Sequence, residues 1–370
     1  MNDHNKFSDR LGPFKVIHIH EPSVRLRAIV VVDNVACGPA IGGVRMAPDV
    51  SLDEAFRLAR AMTLKNSAAG LSHGGGKAVI AADPKMEQAD KEELLRAFAC
   101  AIRDLHEYIP GPDMGTDELA MAWTLDEIGR AVGLPREIGG IPLDEIGATA
   151  WGLTHCVDEA LAYCDFELAG ARVVVQGFGS VGKNVARFLV RRGAMVVGAA
   201  DSRGAIAADD GLDVERLIAI KEEGGCLCDL TGARCLDREA VLGLAADIWI
   251  PAARPDVITM ANVDQLQAKL VVPGANIPMG PAVEKILHDR GVLVVPDFIA
   301  NAGGVICAAA EYQGESQGAA FADIEEKIRT NTREVLAEMA SQDILPRQAA
   351  TNIAMQRLEV AMACRRWRIF

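Results

Sequence analysis

The chain has 370 residues, of which 50% are hydrophobic, 24% charged and 5% aromatic, an ordinary globular make-up that excludes disordered and collagen-like chains. A formal charge of -13 sets it against nucleic-acid backbones, and no apolar run approaches the ~18 residues of a membrane span. At this length a single core normally divides, so two domains are expected.

The charged start, Met1 to Lys6, stands where an export signal would be apolar, and a cytoplasmic location is expected. The longest basic block, Arg365-Arg366-Trp367-Arg368, is too small to recruit nucleic acid. The nine cysteines are an odd number and scattered, which favours reduced thiols over a disulfide framework. Cys226, Cys228 and Cys235 cluster but lack a fourth ligand and CxxC spacing, so no metal is expected.

Residues 15 to 32 read as a hairpin, with His18 and His20 as alternating strand residues and not as metal ligands. Ser51-Leu52-Asp53-Glu54 is a capping box that opens a helix running to about Gly70. On that helix Lys65 follows Leu58, Ala61 and Met62 at helical spacing, which puts an ammonium on the apolar face. Either it snorkels to the rim or it awaits a carboxylate. Lys77 ends the run Gly74-Gly75-Gly76, whose glycines would admit a close ligand, and stands just before a strand at Ala78-Val79-Ile80. Two lysines converging on one pocket would lower each other's pKa, as a base near neutrality requires. A second helix begins near Asp90 and ends at a loop, Pro110-Gly111-Pro112, that stiffens Asp113. On its own that residue reads equally as a turn aspartate. A third helix follows Asp117, and the pattern breaks at Gly139-Gly140-Ile141-Pro142, the expected domain boundary.

From Arg172, β-branched runs at 173–175, 195–197, 247–250, 270–272 and 292–295 alternate with helical segments, the pattern of a doubly wound parallel sheet. The first run leads into Gly177-Phe178-Gly179-Ser180-Val181-Gly182 and then a helix, a strand–GxGxxG–helix in which a pyrophosphate can rest on the helix N-terminus. The alternative is a glycine turn kept for packing alone. Asp201, ending the next strand, suits the ribose hydroxyls of NAD, while Arg203 would suit the extra phosphate of NADP. Two amphipathic helices after Ala320 complete the chain.

Gly42-Gly43-Val44-Arg45-Met46, Met62-Thr63-Leu64-Lys65-Asn66, Gly74-Gly75-Gly76-Lys77, Gly111-Pro112-Asp113-Met114-Gly115-Thr116, Ala148-Thr149-Ala150-Trp151-Gly152 and Asn301-Ala302-Gly303-Gly304-Val305 together resemble the glutamate/leucine/phenylalanine/valine dehydrogenases, in order, over residues 14 to 315. The resemblance implies an α/β protein: a substrate and oligomerisation domain over 1–142, a doubly wound Rossmann NAD(P)-binding domain over 143–320, and helices over 321–370 that pack back on the first. It implies reversible oxidative deamination of an L-amino acid to a 2-oxo acid and ammonia, in a homo-oligomer without membrane or nucleic-acid partners. By resemblance Lys65 holds the substrate carboxylate, Lys77 activates water and Asp113 shuttles protons. Thr149, Ala252 and Asn276 fall on the cofactor side, and Asn301 near the substrate.

Glutamate-specific members resemble one another in a lysine before the Gly-Gly pair and a serine three residues after the valine matching Val305, and here those positions are Ile41 and Ala308. A glutamate side chain would lack its counter-ion there, whereas an apolar one would gain roughly 25 cal/mol per Å² buried. A branched-chain or aromatic substrate is expected. Gly111 resembles the phenylalanine enzymes and Val305 the leucine enzymes, while Asp117 to Trp123 is similar to the glutamate branch. A glutamate-type enzyme with a rearranged pocket and a silent NAD-binding regulatory protein are the alternatives, the latter opposed by a complete catalytic set.

Overall fold

The computed structural model describes residues 7–365; Met1 to Lys6 and Arg366, Trp367 and Arg368 of the basic block lie outside them. The chain forms two compact units, one of Met1–Leu143, Val305–Asp323 and Thr351–Phe370, the other of Asp144–Gly304 and Ile324–Ala350. Residues 305–320, expected with the dinucleotide domain, therefore cluster with the first unit. No helix among the described residues is long and apolar enough to cross a membrane.

In the first unit the strands are β1 (Lys15–Glu21), β2 (Leu26–Asn34), β3 (Ala40–Met46), β4 (Gly74–Ile80) and β5 (Tyr108–Pro112), and the helices are α1 (Leu52–Ala68), α2 (Gln88–Ala101) and α3 (Glu118–Ile128). The sheet order is β1-β2-β4-β3-β5, with β2 antiparallel to both β1 and β4, and β3 parallel to both β4 and β5. Alternation along β2 feeds both faces. Val30 and Val32 join Leu94, Leu95, Phe98 and Met121 of α2 and α3, while Val31 joins Ala55 and Ala59 of α1. The hairpin expected at 15–32 is present, with His18 opposite Ile29 and His20 opposite Arg27. α1 starts on the Ser51 cap, whose side chain accepts from the Glu54 N–H.

Two stretches not expected as strands belong to the sheet. The Gly74–Gly76 run lies inside β4, because its neighbours come too close for side chains: a Cβ on Gly75 would sit 2.0 Å from Thr63 N of α1. Pro110-Gly111-Pro112, expected as a loop, belongs to β5. This edge strand tolerates proline because the Pro110 carbonyl turns outward, accepting from Val132 N at 2.9 Å, so the absent N–H falls on the side away from β3.

The second unit contains α4 (Ala148–Ala160), β6 (Arg172–Gln176), α5 (Ser180–Arg191), β7 (Met195–Ala200), β8 (Ala205–Ala207), α6 (Val214–Glu222), β9 (Arg234–Leu236), β10 (Ile248–Pro251), β11 (Leu270–Val271), α7 (Pro281–Asp289), β12 (Leu293–Val294) and α8 (Asp297–Ala300). α9 (Gly303–Tyr312), α10 (Gln317–Gln342) and α11 (Pro346–Cys364) close the chain. The sheet runs β12-β11-β10-β6-β7-β8-β9, parallel through β7 and antiparallel at β8 and β9. The five expected strands are its parallel part. β8 (Ala205-Ile206-Ala207) and β9 (Arg234-Cys235-Leu236) lack the β-branched runs that mark the parallel strands. Cys228 and Cys235 form a disulfide that ties β9 to the turn before it, contrary to the expectation of reduced thiols, while Cys226 stays a free thiol. Their Cα atoms lie 5.3 Å apart, within bridging range, because the chain doubles back between them.

Candidate active site and dinucleotide site

In the first unit, β3 lies between β4 and β5, and the register sets Ile41 beside Gly75 and Ile109, and Gly43 beside Gly111. Ile41, Gly43 and Arg45 share one face of β3 through the strand's two-residue period. Lys77 from β4 and Asp113 from the end of β5 reach across β3 and meet above Gly43, Nζ to Oδ2 at 2.5 Å. A Cβ on Gly43 would stand 2.7 Å from Asp113 Cβ and 3.1 Å from Lys77 Nζ, so only glycine permits the pair. Gly42 abuts the Gly76 carbonyl of β4, and its own carbonyl accepts from Tyr108 Oη at 2.7 Å.

Lys77 is only 5% exposed, and burial pushes its ammonium below the usual lysine range although Asp113 pulls the other way. Arg45 adds to the lowering. Arg45 is thus a cation beside the pair. Lys65 is half-buried near the end of α1, two residues after Thr63, which lies against Gly75. Burial alone would raise the Asp113 carboxyl, but the Lys77 and Arg45 charges hold it below the usual range. Arg45 donates from Nε to Asp113 Oδ2 at 2.9 Å and from Nη1 to Glu54 Oε1 at 2.6 Å. Sequence reasoning noted Arg45 only as part of a motif and passed over Glu54 as a cap residue.

Ile41 and Ala308 are buried and Val305 of α9 is half-buried, all in the first unit. Val132 packs over Gly111, where a Cβ would meet Val132 Cγ2 at 3.0 Å. Glu311, also unforeseen, accepts from Gly133 N at 2.7 Å, Leu134 N at 3.2 Å and Ile141 N at 2.6 Å, and so fixes the segment carrying Val132.

In the second unit, strand order reverses between β6 and β10, and the ends of these strands form the crevice where dinucleotides rest in open α/β sheets. Gly177 has φ +104° and would drive a Cβ into Ala252 and Ala253. Gly182 would drive one into the Gly177 carbonyl at 1.8 Å, while Gly179 faces nothing within 4 Å. That is the division of labour a pyrophosphate cradle needs: a turn, a close helix–strand contact and open space at the helix start. The Phe178 ring is buried in the core, and the N–H groups of Gly177 and Phe178 are spent on the Ala200 carbonyl. The donors left for phosphate are those of the first turn of α5, Ser180 to Gly182. The Ser180 hydroxyl itself donates to the Asp144 carbonyl, and Val181 Cγ1 stands 2.9 Å from where a Cβ on Gly274 would be.

Asp201 Oδ1 accepts from the N–H groups of Arg203 and Gly204, and Oδ2 from Lys221 Nζ at 2.6 Å. The Arg203 guanidinium turns to the carbonyls of Gly224 and Gly225. Lys221, twenty residues from Asp201, escaped the sequence reading. Asn301 is buried and donates to Asn276 Oδ1 at 2.9 Å, bringing these two residues together, while Thr149 is half-buried at the start of α4 against Gly304. These residues fit a nicotinamide dinucleotide.

The two halves of the chain match two domains of one class of oxidoreductase. The glutamate/leucine/phenylalanine/valine dehydrogenase profile matches residues 139–366, and the dimerisation-domain profile of the same enzymes matches residues 15–130. The protein belongs to the glutamate/leucine/phenylalanine/valine dehydrogenase family. It is similar to the catabolic NAD-specific glutamate dehydrogenase of Bacillus subtilis, at 36% identity covering 88% of this chain and 79% of that one. It is also similar to the NADP-specific glutamate dehydrogenase of Saccharolobus shibatae, at 35% identity covering 90% and 83%. Among solved structures, a hetero-hexameric glutamate dehydrogenase from Thermus thermophilus in a leucine-bound form aligns with a TM-score of 0.86, at 32% identity over 96% of this chain and 91% of that one.

Proposed function

We propose that the protein catalyses the reversible, NAD(P)-dependent oxidative deamination of an L-amino acid with an apolar side chain. Amino acid, water and oxidised cofactor would give 2-oxo acid, ammonium, reduced cofactor and a proton. The observation that carries the reading is the buried Lys77–Asp113 pair over Gly43. A bound dinucleotide would supply the hydride acceptor, held by Gly177, Gly179, the first turn of α5, Ala252 and Asp201. Lys65 takes the substrate carboxylate, the neutral Lys77 amine draws a proton from the water that attacks the imino carbon, and Asp113 moves protons on and off the nitrogen. In this reading the first unit carries the substrate chemistry and the second the cofactor. Asp201 favours NAD.

The apolar preference rests on Ile41, on the same face of β3 as Gly43, and on Val132 over Gly111. A carboxylate side chain against that wall would lose its hydration without a counter-ion. Glutamate is the second reading, favoured by the printed names of the relatives. Both are tested by assaying the twenty L-amino acids with NAD and NADP by nicotinamide absorbance. Activity on branched-chain or aromatic substrates supports the first reading, glutamate activity the second, and silence from a protein that binds NAD removes both. A homo-oligomer belongs to the proposal, and β1, an edge strand with Val16 exposed and Phe14 exposed just before it, offers backbone groups for a second copy.

A further inference from the structure

An isolated buried ion pair keeps its lysine protonated, because removing the proton strands a carboxylate in a poorly solvated site. A lysine that must draw a proton from water needs a neighbour that keeps the carboxylate satisfied afterwards. Arg45 stands in that place. Its Nε and Lys77 Nζ converge on the same atom, Asp113 Oδ2, at 2.9 and 2.5 Å. Asp113 Oδ1 accepts no hydrogen bond among the described residues. The arginine is itself aimed from behind: Nη1 donates to Glu54 Oε1 at 2.6 Å, and the backbone of Glu54 is tied to the Ser51 cap. On the other side the Asp113 main chain is fixed to Thr116, whose hydroxyl donates to the Val44 carbonyl at 2.7 Å.

We propose that Arg45 is a positioning residue for the deamination proposed above: it holds Asp113 Oδ2 so that the carboxylate stays ionised and oriented when Lys77 is neutral, leaving Oδ1 as the oxygen that meets the amino nitrogen. The inference rests on that reading of the site, and Arg45 itself touches neither substrate nor cofactor in it. Charged groups that act on the pair among the described residues include Arg45 from β3 and Glu54 from α1. Tyr108 from β5 is fully buried, its phenol held far above its ordinary range by burial and by Asp113, so it stays neutral. Arg45 lowers both partners, stabilising the Asp113 anion and disfavouring the Lys77 cation, whereas Glu54 raises Lys77.

Opposite pH shifts follow for the two neighbours. In Arg45→Gln the ascending limb of kcat/KM against pH moves to higher pH by about one unit, with kcat falling more than KM rises, and Arg45→Lys restores part of both. In Glu54→Gln the limb moves to lower pH. The same midpoints are read without turnover from the pH dependence of Lys77 acylation by acetic anhydride, followed by peptide mass spectrometry. Limbs and acylation midpoints that stay at the wild-type pH in both variants overturn the proposal, as does a uniform loss of rate without a shift. If no amino acid is deaminated, the functional reading fails while the acylation midpoints still decide for or against Arg45. If Arg45→Gln does not fold, as judged by lost dinucleotide binding, the Glu54→Gln shift carries the test alone.

Discussion

Lys77→Ala removes the proposed base from a site that lies in the first unit, while the glycine loop and Asp201 lie in the second. Turnover is expected to fall by about 10²- to 10⁴-fold, the usual worth of acid–base catalysis, with NAD affinity unchanged in a fluorescence titration. Near-normal turnover would remove Lys77 from the mechanism. Asp201→Ala takes the carboxylate from Lys221 and leaves a cation beside the proposed ribose site. The ratio of NADP to NAD affinity should rise roughly tenfold, equivalent to about 1.4 kcal/mol; an unchanged ratio would mean that the ribose is read elsewhere. Lys77, Asp113 and Asp201 were legible in the sequence because each follows a glycine motif or ends a strand. Arg45, Glu54 and Lys221 were not, since their roles arise from pairings across strands and between a helix and a sheet, and Arg45 meets Asp113 across 68 positions.

Elements with a clear period or a β-branched run were readable: the hairpin, the long helices and the five parallel strands. β5 was hidden by two prolines, which sequence patterns assign to turns and which only its edge position makes tolerable. The glycines of β4 were hidden in the same way, their meaning set by α1 and β5 packed against them. Packing between elements also sets a pH response. Asp158 of α4 is drawn on by burial, which would raise its carboxyl, but His155, Arg192 and Arg329 of α10 bring it down to about 2 from 3.8. A carboxyl lowered on folding stabilises the protein at pH values above its unfolded pKa, and that contribution is lost as pH falls from about 4 to about 2. Asp158→Asn is therefore expected to lower stability to urea at pH 7 and to flatten its decline between pH 4 and 2. A variant with the wild-type slope would place that acid sensitivity elsewhere.

Across the whole molecule the chain passes between its two units four times, after Leu143, Gly304, Asp323 and Ala350. Residues 305–323 and those from 351 on thus complete a unit begun at the N-terminus: Ser67 Oγ donates to the Ala354 carbonyl at 2.8 Å, and Arg357 to the Ala68 carbonyl at 2.6 Å. The return of the C-terminal helices was implied by the family resemblance, whereas the crossing of residues 305–320 was not legible, because periodicity reports each helix's apolar face without naming the surface that covers it. Glu311→Ala leaves three buried N–H groups without an acceptor. At about 1–3 kcal/mol each, several kcal/mol of stability should vanish, and amide exchange should quicken first around Gly133 to Ile141. Unchanged exchange there would deny the clamp its role.

The same clamp imposes an order on biosynthesis. The strands bearing Lys77 and Asp113 leave the ribosome early, yet the carboxylate that satisfies Gly133, Leu134 and Ile141 is about 170 residues behind them. At roughly 5–20 residues per second that gap lasts on the order of ten seconds or more. Until then the nascent segment keeps its amides in water or on a chaperone. A segment made well before its clamp is thus finished only after that clamp arrives.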